Sequence, residues 1–314
     1  MALYEPGLGF YEAGGAAGRR GDFLTSPEVG PLFGAVVARA LDGWWRELGE
    51  PEPFTVVEAG AGRGTLAKAI LTTRPACSDA LRYVAVERSG ALRGGYPEGV
   101  QPAAAMPEAP IVGVILANEL LDNLPFGLLE RRADGWAEVR VTEELVEALV
   151  PVDDEPEGRL APDSAVGGRI PTQRAARAWV DQARRLVERG RVVVFDYADA
   201  TPSLARRPWT EWVRTYRGHG RGSHPLADLG AQDVTCEVAI DQLPAPTSDR
   251  SQAEFLRAHG IGELAAEARR AWEARAHIGD LQALAHRSRV GEVAALTDTA
   301  GLGGFRVLEW VQGV

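Results

Sequence analysis

Glu58, Gly60, Gly62 and Gly64 fall in "VVEAGAGRGTLAKAIL" (56 to 71), where an apolar run gives way to alternating glycines and then to an amphipathic stretch. "FTVVEAG" (54 to 60) reads as a buried strand, and "GTLAKAILTTR" (64 to 74) carries apolar positions 66, 69 and 70 at helical spacing. The glycines therefore occupy a strand-to-helix turn, where a missing Cβ lets the backbone approach a ligand closely. "LRYVAVERS" (81 to 89) is a second strand ending in Glu87, so strand, glycine turn, helix, strand and acid form a βαβ unit. That order sets Glu87 where the hydroxyl pair of a ribose would lie. A dinucleotide fingerprint starting at Gly60 needs a glycine at position 65, where the chain has Thr65. A phosphate-cradling P-loop needs a lysine directly after its last glycine, and Lys68 is the only lysine among 34 basic residues.

A third unit, "PIVGVILANELLDNLPFGLLER" (110 to 131), starts as an apolar strand and ends in Asn118, Glu119 and Asp122 before Pro125. In an open α/β sheet, ligands sit at the carboxyl ends of the strands, so these polar residues face the same crevice as the glycine turn. A plainer reading stays open, with Asn118 as a helix N-cap and the two acids in the first turn. "VVVFDYAD" (192 to 199) is a further strand, ending in Asp196 and Tyr197 on the same side. "GDFLTSPEVG" (21 to 30) offers Asp22, Thr25, Ser26 and Glu28 ahead of a helix running from Pro31 towards Trp45. Ser26 has the character of its N-cap, and a helix N-terminus bearing hydroxyls also seats a carboxylate. The glycine-rich loop near 214 to 235 brings His219, His224 and Asp233. His219 and His224 are five apart without a third ligand at fixed spacing, so no metal is expected.

The elements that must position these groups alternate strand and helix, which predicts an α/β fold. With 314 residues and 45% hydrophobic composition, the chain can bury a large core. A formal charge of -10 argues against nucleic acid as a partner. Without an apolar run of about 18 residues, no membrane insertion is expected, and without a leader pattern the expected location is cytoplasmic. Cys77 and Cys236 stand far apart and read as ordinary packed thiols. Alternation in "WAEVRVTEELVEALVPV" predicts a β insertion, followed by an exposed linker rich in Pro, Gly and Asp. "TQRAARAWVDQARRLVERG" (172 to 190) predicts a helix stopped by Gly190 that leads into a strand at 191 to 196. The expected organisation is an N-terminal cap (1 to 40), a core with lid elements (41 to 126 and 191 to 314), and an insertion with connecting helix (127 to 190).

The pattern Glu58-x-Gly60-x-Gly62-x-Gly64 resembles the first motif of class I (Rossmann-like) S-adenosylmethionine (SAM) methyltransferases. Over nearly its whole length the chain also resembles the MidA-like SAM-dependent methyltransferases, a family that includes a mitochondrial complex I assembly factor described as a protein arginine methyltransferase. Among the blocks that carry this likeness are "ALYEPGLGFY" (2 to 11), "GDFLTSPEVGPLFG" (21 to 34), "ANELLDNLPF" (117 to 126) and "GAQDVTCEVAIDQL" (230 to 243). Ala61 stands where family members commonly have proline. The resemblance implies SAM as cofactor and a protein substrate presenting arginine, with a small-molecule O- or N-methyltransferase and a SAM-binding assembly factor without turnover left open as alternatives. It places Asp22, Thr25, Ser26, Glu58, Gly60, Gly62, Gly64, Glu87 and Asn118 around SAM. A guanidinium is a planar cation with a fork of donors, so its site needs carboxylates. Glu119 is the expected principal carboxylate, Asp122 its support, and Asp196 and His219 further residues beside the reaction.

Overall fold

The computed structural model describes residues 3–5, 7–11, 25–153, 155–218, 220–278 and 280–314. Asp22 and His219 lie outside the described residues. A short helix α1 (Ser26–Val29) leads into α2 (Pro31–Glu47), then β1 (Phe54–Ala59), α3 (Thr65–Thr72), β2 (Leu81–Val86), β3 (Val100–Ala103) and β4 (Ile111–Asn118). Four antiparallel strands follow: β5 (Gly127–Arg132), β6 (Gly135–Val141), β7 (Glu147–Val152) and β8 (Arg169–Thr172). Helix α4 (Arg174–Leu186) returns the chain to β9 (Val187–Asp196).

Small elements come next: β10 (Ala198–Asp199), α5 (Thr201–Leu204), α6 (Trp209–Trp212), β11 (Val213–Arg217), β12 (Gly220–Arg221), β13 (Asp233–Cys236) and β14 (Val238–Ala239). The chain ends with β15 (Ser248–Ser251), α7 (Gln252–Ala258), α8 (Ile261–Arg275), α9 (Leu281–Thr297) and β16 (Arg306–Gln312).

The central seven-stranded sheet has the order β15-β16-β9-β4-β1-β2-β3. The pairs β2–β3, β1–β2, β1–β4 and β4–β9 are parallel, while β16 runs against both its neighbours. Because β1 lies between β2 and β4, the winding reverses there, and the loops after β1 and β4 part to leave a crevice.

The strands read as continuous apolar runs because both faces are covered. Val56, Val114, Leu116, Val193 and Phe195 point into one core with α2, α3 and α7. Their neighbours Val57, Ile115, Ala117, Val192 and Val194 point into the other core, with Ala176, Val180 and Ala183 of α4.

The expected helix over 172 to 190 ends earlier, at Leu186, and Gly190 is not its stop. Gly190 lies inside β9 opposite Gly113 of β4, where an added Cβ would come 1.8 Å from the Gly113 carbonyl oxygen. Gly113 in turn has its Cβ direction blocked by the Thr55 carbonyl oxygen at 1.9 Å. Glycine here serves the close approach of β1, β4 and β9. Within the expected linker, Pro156–Leu160 forms a 3-10 turn in which Gly158 is buried.

Candidate functional site

A cavity of about 510 Å³ opens over the carboxyl ends of β1, β2 and β4, at the reversal of strand order. Its wall includes Glu58, Gly60, Gly62, Glu87, Asn118 and Glu119, together with Thr25 and Glu28 from the start of α1. Sequence reading thus brings most of its candidates to one place, from positions 25 to 119 along the chain.

The glycine turn is set by backbone geometry. Gly60, Gly62 and Gly64 have φ of 71°, 52° and 73°, in the left-handed region that side chains disfavour. A Cβ on Gly64 would come 2.7 Å from the Tyr96 ring, whereas one on Gly62 would meet no atom within 4 Å. The Gly62 face is therefore open to the cavity. Tyr96 braces the turn by donating its hydroxyl to the Gly62 carbonyl at 3.0 Å.

Glu87 lines the cavity while its carboxylate accepts the Gly62 N–H at 3.0 Å and the Ser89 N–H at 2.8 Å. These bonds hold the acid upright at the end of β2. Glu58 is buried and accepts the Tyr83 hydroxyl at 2.7 Å. Burial pushes its carboxyl up to about 7, against the lowering effect of that hydrogen bond.

Glu119 follows β4 directly and adopts a left-handed backbone, φ 51°. Its N–H is held by the Phe195 carbonyl at 2.8 Å. Oε1 accepts the Asn118 amide at 3.0 Å and the Ser26 N–H at 3.4 Å. Burial first, and then repulsion from Asp122, raises the Glu119 carboxyl to about 8. Asn118 does not cap an α-helix, because β4 is followed only by a 3-10 turn at Leu121–Asn123. Its Oδ1 is buried on the cavity side without a hydrogen-bond partner among the described residues.

Asp122 and Asp196 lie behind the cavity wall rather than on it. Asp196 accepts the N–H groups of Leu121 at 2.9 Å, Asp122 at 3.4 Å and Tyr197 at 3.0 Å, so it anchors the turn that carries Asn123. Burial, then the charges of Asp122 and Glu119, push its carboxyl well above the usual range. Asp122 accepts the Tyr197 hydroxyl, and burial raises its carboxyl to about 7. A 3-10 turn alternates its side chains differently from the α-helix of the plainer reading, and this sends Asp122 inward.

Ser26 departs from expectation in two ways. The N-cap of α1 is Thr25, with Ser26 as the first helical residue, and no side chain caps the helix. The Ser26 hydroxyl turns inward to Gln252 Oε1 at 2.9 Å, so only its backbone N–H reaches Glu119. Thr25 and Glu28 remain at the cavity, where Glu28 accepts the Thr65 hydroxyl at 2.5 Å.

Residues not singled out from sequence complete the wall. Tyr4 and Tyr11 line it from the N-terminal segment, with Leu120, Asn123, Leu124, Met106 and Trp179. The spacing of the tyrosines carries no signal of its own. Tyr11 finds its partner, Asp233, 222 positions away. Among the described residues, no group of His, Cys, Asp and Glu could hold a metal ion.

Comparison with known proteins agrees with this geometry. The crystal structure of a COG1565 superfamily member from Burkholderia thailandensis bound to S-adenosylhomocysteine superposes with a TM-score of 0.85 at 29% identity, covering 100% of this chain and 86% of that one. A native crystal structure of a COG1565 superfamily protein from the same organism gives 0.81 at 27%, covering 100% and 85%. The "Protein arginine methyltransferase NDUFAF7, mitochondrial" of Danio rerio is 24% identical over 322 residues, 83% of this chain and 71% of its own. The Drosophila melanogaster homolog reaches 48% over 69 residues, 22% of this chain and only 16% of its own length. Residues 36–258 match the family described as "Putative S-adenosyl-L-methionine-dependent methyltransferase", and the chain belongs to that family, with S-adenosyl-L-methionine as its cofactor.

Proposed function

We propose that this protein transfers the methyl group of SAM to an arginine side chain of a protein substrate. The observation that carries the reading is Glu119, a carboxyl on the wall of the same cavity as the glycine turn and held without a cationic partner among the described residues. The arginine methyltransferase names of the fish and fly relatives support it. The resemblance to the MidA-like family adds respiratory complex I subunits as the first clients to try, and a cytoplasmic location remains part of this reading.

The residues fit the cofactor. The open Gly62 face leaves room for backbone approach, Asn118 Oδ1 is a buried acceptor without a partner among the described residues, and Glu87 lines the cavity with a carboxylate that would accept ribose hydroxyls. Thr25 and the start of α1 would lie near the amino-acid end, and Glu58 would back the turn. When bound, SAM supplies an activated methyl group on a sulfonium.

The chain's own part is to orient the acceptor and manage charge. Glu119 is a protonated acid near neutral pH while no cation is near. An arriving guanidinium favours its ionised form, which then accepts the guanidinium N–H groups and takes the proton that the nitrogen releases on methylation. Asp122, behind the wall, raises the proton affinity of Glu119, so the ionised form waits on the guanidinium and then takes the proton readily. Asp196 holds the turn between them.

Two measurements test the reading. Calorimetric titration with SAM and, separately, NADH should give saturable binding for SAM alone, weakened at least about tenfold by Gly62→Val and by Glu87→Ala. Incubation of the protein and labelled SAM with arginine peptides, and with the same peptides carrying lysine, should give methylarginine and no methyllysine by mass spectrometry. SAM binding without methylarginine on any arginine peptide or complex I subunit counts against the acceptor and leaves the cofactor standing.

A further inference from the structure

Tyr4 and Tyr11 enter the cavity wall from a segment that no strand of the central sheet contains. Their rings stack with centroids 5.7 Å apart and planes 19° apart. Both hydroxyls are tied down: Tyr4 donates to the Asn123 carbonyl at 2.9 Å, and Tyr11 donates to Asp233 Oδ1 at 3.0 Å. Asn123 belongs to the turn that Asp196 anchors, so the pair is fixed to the frame that carries Glu119. Over the Tyr4 ring lies the guanidinium of Arg88, 5.1 Å from the ring centroid. Arg88 is exposed at the cavity mouth, and its guanidinium makes no hydrogen bond or ion pair among the described residues.

We propose that the Tyr4 ring is the platform on which the acceptor's guanidinium lies, and that Arg88 rests there until the acceptor arrives. The inference rests on the arginine reading above and adds the residues that recognise the side chain. A planar cation is held over an aromatic face by the ring's quadrupole, and arginine does so while its edge donors stay available. The Tyr4 ring and the Glu119 carboxyl line the same cavity, so one can take the face of the group and the other its edge. The surroundings of Tyr4 favour a cation as well. Burial first, and then the nearby carboxyls of Asp122 and Asp233, push its hydroxyl above the ordinary range, against the lowering effect of Arg88. Arg88 is a guanidinium of the chain's own, seated over that ring. It has no other partner among the described residues to compete for it, so it yields to a guanidinium that Glu119 also binds.

The test is steady-state methylation of a short arginine peptide at saturating SAM, with S-adenosylhomocysteine affinity measured by calorimetry on each variant. Tyr4→Leu should raise the peptide KM about three- to thirtyfold, more than it changes kcat, with S-adenosylhomocysteine affinity held within about threefold. Tyr4→Phe keeps the ring and should recover most of that loss. Arg88→Ala, which removes the resident cation, should lower the peptide KM about threefold. A wild-type KM in Tyr4→Leu, or a raised KM in Arg88→Ala, overturns the platform and leaves arginine methylation standing. Loss of S-adenosylhomocysteine affinity in step with KM also overturns it, by assigning the ring to the cofactor. A wild-type protein that binds S-adenosylhomocysteine but methylates no arginine peptide overturns both readings.

Discussion

Buried carboxylates away from the cavity and beside it are satisfied in different ways. Glu309, 3% exposed, accepts Arg191 at 3.1 Å and also pairs with Arg250. Glu130 in the insertion sheet pairs with Arg132 at 3.1 Å and Arg169 at 3.0 Å, and Glu237 with Arg207 at 2.9 Å. Beside the cavity, Glu58, Glu119, Asp122 and Asp196 have no ion pair among the described residues and rely on hydroxyls, an amide and backbone N–H groups. With 34 basic residues the chain does not lack cations, so the difference is one of placement. Where an acid completes the fold, its counter-charge comes from the chain. Around the site the counter-charge does not come from the described chain, and the sulfonium of the cofactor is a cation that can supply it.

The largest test of this contrast is Glu119→Gln. Methylation of an arginine peptide should fall about 100- to 1,000-fold in kcat/KM, while S-adenosylhomocysteine affinity changes little. Full activity in that variant would remove Glu119 from the acceptor site. The same acid-to-amide change should then have unlike effects on stability in the two regions. Glu309→Gln takes the acid from Arg250, leaves Arg191 only Glu47, and should cost about 3 kcal/mol, a drop in Tm on the order of 5 °C.

Stability should also depend on pH in the direction set by the site. Glu119 at about 8, and Glu58 and Asp122 at about 7, bind protons more tightly folded than unfolded. Their contribution is complete below the unfolded carboxylate range and is lost as pH rises through 7 to 8. Between pH 6.5 and 8.5, differential scanning calorimetry of the cofactor-free protein should register a loss on the order of 2 kcal/mol, reduced in Glu119→Gln. The smallest effect is expected from Asp122→Asn, which still accepts the Tyr197 hydroxyl. At pH 8.5 its stability should lie within about 1 kcal/mol of wild type, and a loss as large as that of Glu309→Gln would erase the contrast.

Local pattern carried much of the site. The glycine turn, Glu58, Glu87 and the end of β4 were legible because each sits at a fixed point of a strand–turn unit, and the fold brings such points to one edge of a parallel sheet. The direction of a side chain one or two residues beyond a strand was not. Asp122 and Glu119 are three apart, yet a 3-10 turn and the left-handed backbone of Glu119 send them to opposite sides of the cavity wall. Gly190 looked like a helix stop because its real constraint, the backbone of Gly113, comes from another strand. Ser26 and Thr25 differ by one position at a helix start, and what separates them is Gln252, more than 200 residues away. Tyr4 and Tyr11 were hidden for the same reason, since only Asn123 and Asp233 make them part of a wall.

The placement of β16 between β9 and β15 bears on how the protein is made. Residues 306–312 are needed to pair the outer edge of β9, the strand that ends in Asp196. Until a ribosome has released them, a nascent chain carrying the finished glycine turn and β4 still exposes residues 190–196 of β9 as an open, Val-rich edge. Such an edge readily pairs with another chain, so β9 is exposed to mispairing during synthesis until β16 arrives.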